Sequence, residues 1–530
     1  MTRRPARPAA RRTLALAAAA TLLLAGCAPV GDPQWTPPDW SAATVRVVAA
    51  PDAVDVDAAA VSTSLTSQRI RNDEVGIQAR WSVLPGRSAL VAPFNDAIEA
   101  TVREAVAAQS ATVGVAYRPV AHPEGSGLED RTCVAGSTTR PAAELLADPA
   151  LGPAGGAGTA VVCDVVLAAG SIFAQRMRVV SGAAGEVASD RTELLYVDTA
   201  TGEVSSAAGL WQEDAVDALG ADIVDALRRD AGALSLAPAT FEGDEQREAL
   251  RAALATTVPG LDDGLAFTIP AGFRAPELAA LGAAETSEPL TVAVPAVRAE
   301  TLVTPLGAAV LAAVGEPYAG PPAVPAGLDR LDCALVPCVA LTYDDGPTVH
   351  TPRLLDELAT LRASATLYVL GQYAAGAPDT VRRAAAEGHE IGNHTWNHPS
   401  LPSLTPEQVR DQLGRTATLL RSLSGQPVAT FRPPYGEFTA EVLAAAGEPA
   451  MIWTVDTRDW AGPAESEIVA SSVRGATVGG IILLHDTQER SVSATPAIVS
   501  GLRDRGFSTA TITQLFDGDL PASGAWRAAP

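Results

Sequence analysis

Residues 338–347 read CVALTYDDGP: an apolar run from Cys338 to Tyr343, two adjacent carboxylates at Asp344 and Asp345, and a Gly346-Pro347 turn. A short apolar run closed by turn residues is the signal of a buried strand. The pattern then repeats, with apolar runs at Ala365–Leu370, Glu390–Asn393, Ala429–Arg432, Met451–Val455, Gly480–Leu484 and Ser508–Thr511. Helix punctuation lies between them. Pro352, Pro378 and Pro406 occupy first-turn positions, Gly388, Gly425, Gly447 and Gly506 occupy C-terminal caps, and Thr405-Pro406-Glu407-Gln408 has capping-box spacing. Seven strands alternating with helices imply an α/β fold on a parallel sheet, either open or closed into a barrel. In such barrels the chemistry collects just past the C-terminal ends of the strands.

Outward from this array, Ala319-Gly320-Pro321-Pro322-Ala323-Val324-Pro325 reads as a linker at 319–327. It predicts that residues 328–530 form a domain able to fold alone. Residues 45–318 read as an α+β region of unknown role. Phe94, Ile98, Val102 and Val106 recur at helical spacing, Gly158–Leu167, Thr192–Val197 and Leu290–Val294 read as strands, and Thr201-Gly202 after Asp198 reads as a hairpin turn. This region holds one histidine, His122, and no catalytic constellation.

At the N-terminus, Arg3, Arg4, Arg7, Arg11 and Arg12 precede a short apolar segment, Leu14 to Ala25, too short for a comfortable bilayer span. Leu24-Ala25-Gly26-Cys27 resembles a bacterial lipobox, which implies a signal peptide at 1–27, acylation of Cys27 and a Pro-rich tether at 28–44. Arg11-Arg12 also fits twin-arginine export, and the choice between the two export routes stays open. The expected location is outside the cell, lipid-anchored and facing the wall, with the membrane touched only through the anchor. Four further cysteines, Cys133, Cys163, Cys333 and Cys338, fit two disulfides in an exported protein. Of three possible connectivities, pairing by proximity keeps each bond inside one expected domain. With 61 acidic against 38 basic residues the formal charge is −23, which argues against nucleic acid as a partner.

Polar clusters follow five of the seven strands. They are Thr342-Tyr343-Asp344-Asp345-Gly346-Pro347, His394-Thr395-Trp396-Asn397-His398-Pro399, Arg432-Pro433-Pro434-Tyr435-Gly436, Asp456-Thr457-Arg458-Asp459-Trp460 and Leu483-Leu484-His485-Asp486. Taken singly, Asp-Asp-Gly-Pro is a common turn and a His-x₃-His pair is more often not a ligand pair. Together they stand at successive strand ends, with five of the chain's six histidines in this third of it, and coincidence no longer accounts for them. Two neutral imidazoles and one carboxylate leave a coordination position open, as a catalytic divalent cation requires. An adjacent second carboxylate is then free to act as a base, and a distant histidine held by an aspartate can act as an acid.

Residues 335–515 resemble the NodB-homology polysaccharide deacetylases, carbohydrate esterase family 4, with all five family motifs in order. The resemblance implies a distorted (β/α)₇ barrel and metal-dependent hydrolysis of an N-acetyl group from an N-acetylglucosamine polysaccharide, releasing acetate. Peptidoglycan is the first expectation for the substrate. The resemblance also implies that Asp345, His394 and His398 bind one divalent ion, zinc first, with cobalt or manganese as substitutes. Asp344 would be the base, Arg432 its positioning partner, and His485 the acid oriented by Asp459. The backbone N–H of Tyr435 would bind the oxyanion, Trp460 and Leu483 would line the acetyl pocket, and Thr395 would brace the histidine loop. Upstream, the stretches VDTATGEV (197–204), GLAFTIPAGF (264–273) and LTVAVPAV (290–297) resemble the extracellular domain placed ahead of some bacterial cell-wall deacetylases, and imply a spacer or wall-binding role. Two rival readings remain: an O-acetyl polysaccharide esterase using the same site, and a wall-binding or sensor lipoprotein with a vestigial catalytic domain. Intact Asp344, Asp345, His394, His398 and His485 argue against the second rival.

Overall fold

Asp344, Asn393 and His485 are the last residues of three strands of one parallel sheet, and this common ending creates the site. The computed structural model describes residues 44–49, 61, 65–183, 185–232, 239, 241–260, 263–274, 279 and 284–530. Cys27, the expected signal peptide and nearly all of the 28–44 tether therefore lie outside the described residues.

The parallel sheet runs Glu390–Asn393, Thr366–Val369, Cys338–Asp344, Ile481–His485, Val455–Asp456, and Ser508–Ala510 pairs with the first half of Cys338–Asp344. The register sets Asp344 opposite His485. Helices Thr351–Thr360, Pro378–Ala386, Pro406–Ser424, Glu465–Gly475 and Glu489–Asp504 connect the strands. Thr405 caps the third of these in a full capping box with Gln408, and Gly425 ends it at φ 69°.

Two segments differ from expectation. Ala429–Arg432 makes only isolated bridges, through Phe431 to Asn393 on one side and to Ala450 on the other. Arg432 is followed by two prolines, which have no N–H to continue a ladder. The expected Met451–Val455 strand divides into Ala450–Met451 and Val455–Asp456 because the chain changes partner. The first piece pairs with an unanticipated strand, Ala525–Trp526, and the second with the Ile481–His485 strand.

Upstream, six strands form a sheet in the order Thr66–Asn72, Ile77–Val83, Ala157–Ala169, Ile172–Ala183, Glu186–Asp198, Glu203–Ser206. The Ala92–Val113 helix buries Phe94, Ile98, Val102 and Val106. The hairpin at Asp198 closes with a 2.7 Å bond from the Gly202 N–H to the Asp198 carbonyl. A four-stranded antiparallel sheet of Arg46–Val48, Leu290–Val294, Leu265–Ile269 and Val258–Pro259 lies beside it in sequence. Disulfides join Cys133 to Cys163 and Cys333 to Cys338, with Cα–Cα separations of 5.0 and 5.4 Å. No helix among the described residues is long and apolar enough to cross a membrane.

Packing continues across the Pro-rich 319–327 segment. Cys338, Ala340, Met451, Ile481 and Ala510, away from the strand ends that carry the polar clusters, share one buried cluster with Ile70, Trp81, Phe94 and Phe173. Polar contacts reinforce it: Asp329 accepts from the Thr66 hydroxyl at 2.6 Å and the Gly86 N–H at 3.2 Å, and Asp504 accepts from the Gly127 N–H at 2.8 Å. Proline density marks a turn-rich connection, but it carries no information about what the flanking surfaces bury. Each large apolar side chain in this cluster is worth roughly 1.5–3 kcal/mol.

Candidate active site

The Cys338–Asp344 strand delivers Asp344 to the end of the sheet, where it is 3% exposed. Asp345 then turns the chain with a left-handed φ of 72°, followed by a cis Gly346-Pro347 bond. Only glycine fits at 346, since a Cβ there would lie 2.2 Å from the Asp486 carboxylate. Nine non-glycine residues among those described have positive φ, and five of them, Asp345, Thr395, His398, Tyr435 and Arg458, lie in the loops past these strand ends. Such backbone strain concentrates at functional sites.

Asp345, His394 and His398 present donor atoms within 4.8 Å of one another. The Asp345 Oδ1 atom lies 3.3 Å from His394 Nε2 and 3.4 Å from His398 Nε2. His394 Nδ1 lies 2.8 Å from the Arg432 carbonyl, so it carries the ring hydrogen and leaves the Nε2 lone pair facing Asp345. Oδ1 of Asp345 is buried with no hydrogen-bond donor. Burial raises the Asp345 carboxyl, but the neighbouring imidazoles, His394 first, then His398 and His485, outweigh it and hold it at about 2. Burial, then His394, keeps His398 low and therefore neutral. Two imidazole nitrogens and an orphaned carboxylate oxygen suit a divalent cation of zinc type.

Asp344 and Arg432 form a buried pair beside this triad. Arg432 Nη1 donates to Asp344 Oδ1 and to the Thr342 hydroxyl, both at 2.7 Å, and Nε donates to the Met451 carbonyl at 2.8 Å. The guanidinium lies 4.2 Å from the Tyr368 ring centroid and 5.8 Å from that of Trp453. Asp344 Oδ2 stands 3.8 Å from His394 Nε2. Asp459 and His485 form a second pair: His485 Nδ1 donates to Asp459 Oδ1 at 2.7 Å, and the His485 backbone N–H donates to Oδ2 at 2.8 Å. Burial pushes the His485 imidazole down. The hydrogen bond and charge of Asp459, followed by Asp344 and Asp345, more than reverse this and bring it up to about 9. The site thus sets a carboxylate fixed by a guanidinium and an imidazolium fixed by a carboxylate beside one metal-type triad.

Tyr435 and Trp460 are 65% and 61% exposed, and the Tyr435 ring lies 4.6 Å from His398, so one aromatic face stands open beside the triad. Leu483 is buried, and its carbonyl accepts from Thr457 at 2.8 Å. Thr395 is buried and its hydroxyl accepts from the His398 N–H at 3.1 Å. Sequence reasoning missed Ser491, whose hydroxyl donates to Asp459, and the aromatic pair around Arg432. It also gave no role to Asp486, whose carboxyl burial lifts to about 7 beneath the Asp345-Gly346 turn. Asp486 was legible as the neighbour of His485, whereas Ser491 carries no local signal.

A family model described as polysaccharide deacetylase matches residues 333–451, which take in Asp344, Asp345, His394, His398, Arg432 and Tyr435. Over 196 residues the chain is 38% identical to the chitooligosaccharide deacetylase of Bradyrhizobium sp. (strain ANU 289), covering 33% of this chain and 90% of that protein. The chain belongs to the polysaccharide deacetylase family. This polysaccharide deacetylase is also 37% identical over 186 residues to the peptidoglycan-N-acetylglucosamine deacetylase of Bacillus cereus, across 34% of this chain and 68% of that one. To the peptidoglycan-N-acetylglucosamine deacetylase PgdA of Listeria monocytogenes it is 34% identical over 183 residues, 34% of this chain and 39% of the relative. All three alignments fall on about one third of the deacetylase.

Proposed function

We propose that this enzyme hydrolyses the N-acetyl group of N-acetylglucosamine units in a polysaccharide, with peptidoglycan as the substrate and acetate as the product. The single observation that carries the reading is the flanking of Asp345, His394 and His398 by two carboxylate–cation pairs, Asp344–Arg432 and Asp459–His485. The relatives named for chitooligosaccharide and peptidoglycan N-acetylglucosamine support the substrate class.

Asp345, His394 and His398 would hold the metal, zinc in the first instance; when bound, it supplies Lewis-acid polarisation and makes water a better nucleophile near neutral pH. Arg432 engages Oδ1 of Asp344 and holds the carboxylate in one orientation, so Oδ2 is left to accept the proton of the attacking water. The Tyr435 N–H takes the developing oxyanion. Trp460 and Leu483 border the acetyl group. His485, protonated and steered by Asp459, gives its proton to the departing amine. We read the strand array, with Phe431 bridging Asn393 and Ala450, as the distorted (β/α)₇ barrel, residues 328–530 as the catalytic domain and residues 45–318 as the support against which it packs. The lipobox supports a lipid anchor at Cys27 and action at the wall. Acetate release accompanied by an equal number of new glucosamine amines is the result this reading requires. Acetate without new amines would favour the O-acetyl esterase.

A further inference from the structure

We propose that Ser491 is a positioning residue of the acid pair: its hydroxyl fixes the Asp459 carboxylate and limits how tightly that carboxylate draws the His485 proton. This rests on the reading of His485 as the acid. Asp459 is 2% exposed and accepts four hydrogen bonds. Oδ1 takes the His485 Nδ1–H at 2.7 Å and the Trp460 N–H at 3.0 Å. Oδ2 takes the His485 backbone N–H at 2.8 Å and the Ser491 hydroxyl. A carboxylate offers about four acceptor sites, so this one is filled. The first three donors belong to His485 and to the residue following Asp459. Ser491 alone comes from elsewhere, the first turn of the Glu489–Asp504 helix.

Ser491 is itself held from two sides. Its N–H donates to the Gln488 carbonyl at 3.0 Å, and its own carbonyl accepts the Thr495 hydroxyl at 3.0 Å. With the Thr495 proton spent there, the 2.8 Å contact between Thr495 and the Tyr343 hydroxyl is donated by Tyr343. Tyr343, Thr495, Ser491 and Asp459 are all buried. A hydrogen-bonded path therefore runs from the strand residue beside Asp344 to the carboxylate that orients His485.

Each donor on a carboxylate spreads its charge and lowers its basicity. Without the Ser491 hydroxyl, Oδ2 keeps one donor and a buried unsatisfied lone pair. The concentrated charge then pulls harder on the imidazole proton. The titratable groups that bear on His485 are Asp459, Asp344, Asp345, Asp486 and His398. The substitution alters none of them directly, so the change in His485 reports the Asp459 carboxylate. A more tightly held proton makes a poorer acid, while Ser491, fully buried, has no access to substrate.

The test follows the His485 ring nitrogens by ¹⁵N NMR in the full-length, zinc-loaded chain, with the signal assigned through His485→Gln. Ser491→Ala should move the midpoint up by about half to one pH unit, and Ser491→Cys, a weaker donor of similar size, should move it less. In acetate-release assays Ser491→Ala should lower kcat about two- to threefold with KM unchanged and shift the alkaline limb upward with the NMR midpoint. A midpoint that stays in place or falls in Ser491→Ala overturns the proposal; if that variant does not fold, the same result in Ser491→Cys does so. The titration is read whether or not the protein releases acetate, so failure of the deacetylase reading and failure of this proposal give different results.

Discussion

Replacing Asp459 by Asn keeps the side chain's volume and removes its charge from a position that is 2% exposed. In the native chain burial pushes His485 down, and the hydrogen bond and charge of Asp459, then Asp344 and Asp345, bring it from 6.5 to about 9. A difference of about 2.5 units corresponds to about 3 kcal/mol of linkage free energy. The folded state holds this proton more tightly than the unfolded chain does. The stabilisation is therefore complete below pH 6.5 and is lost as pH rises through about 9. In Asp459→Asn the main attraction is gone and burial remains. For a unit of about 490 residues, Ala42–Pro530, the unfolding entropy is on the order of 1 kcal/mol per degree. The pH-dependent part of the Tm gap between native chain and variant should then be about 3 °C at pH 6 and close by about pH 9.5. Calorimetry in chelator across that range measures it. A gap that is flat with pH, or that widens toward alkaline pH, would refute the account of the acid pair.

Metal and chemistry should separate by residue. His394→Ala should abolish stoichiometric zinc, measured by elemental analysis, whereas Asp344→Asn and His485→Ala should retain zinc and lose roughly 10²–10⁴-fold in turnover; near-normal turnover in zinc-replete Asp344→Asn would remove it as the base. Residues 328–530 expressed alone should be insoluble or show molten packing by near-ultraviolet circular dichroism, because Cys338, Met451, Ile481 and Ala510 would lose the part of their buried cluster that Ile70, Trp81 and Phe94 contribute. A truncation as stable as the full chain would show that this shared cluster contributes nothing. Cys27→Ser should transfer the protein from the membrane fraction to the medium, and a wild-type chain that takes up no labelled palmitate would exclude the anchor.

What the sequence made legible was local in the chain. Asp344-Asp345, His394-x₃-His398 and Asp459-Trp460 each carry their chemistry within a few residues, next to apolar runs whose parallel pairing brings their ends together. The Thr405 capping box and the Gly425 cap were readable for the same reason. Features that depend on packing between distant segments were not. Ser491 reaches Asp459 because a helix 32 residues away docks its first turn there. Tyr368 lies under Arg432 although its strand pairs with Cys338–Asp344 and Glu390–Asn393 and not with the 429–432 segment, and no pattern around either residue records it. The 319–327 segment shows the converse: its prolines signalled a boundary, while the apolar residues that pack across it are scattered from Ile70 to Ala510.

The central claim is most directly tested by counting products from zinc-loaded protein acting on purified peptidoglycan and on N-acetylglucosamine oligomers, with acetylated xylan alongside. The account predicts acetate and new primary amines in equal amounts from the N-acetylated substrates, abolished by chelator and restored by zinc. Acetate from xylan alone, or no acetate from any substrate by metal-replete protein, would contradict it.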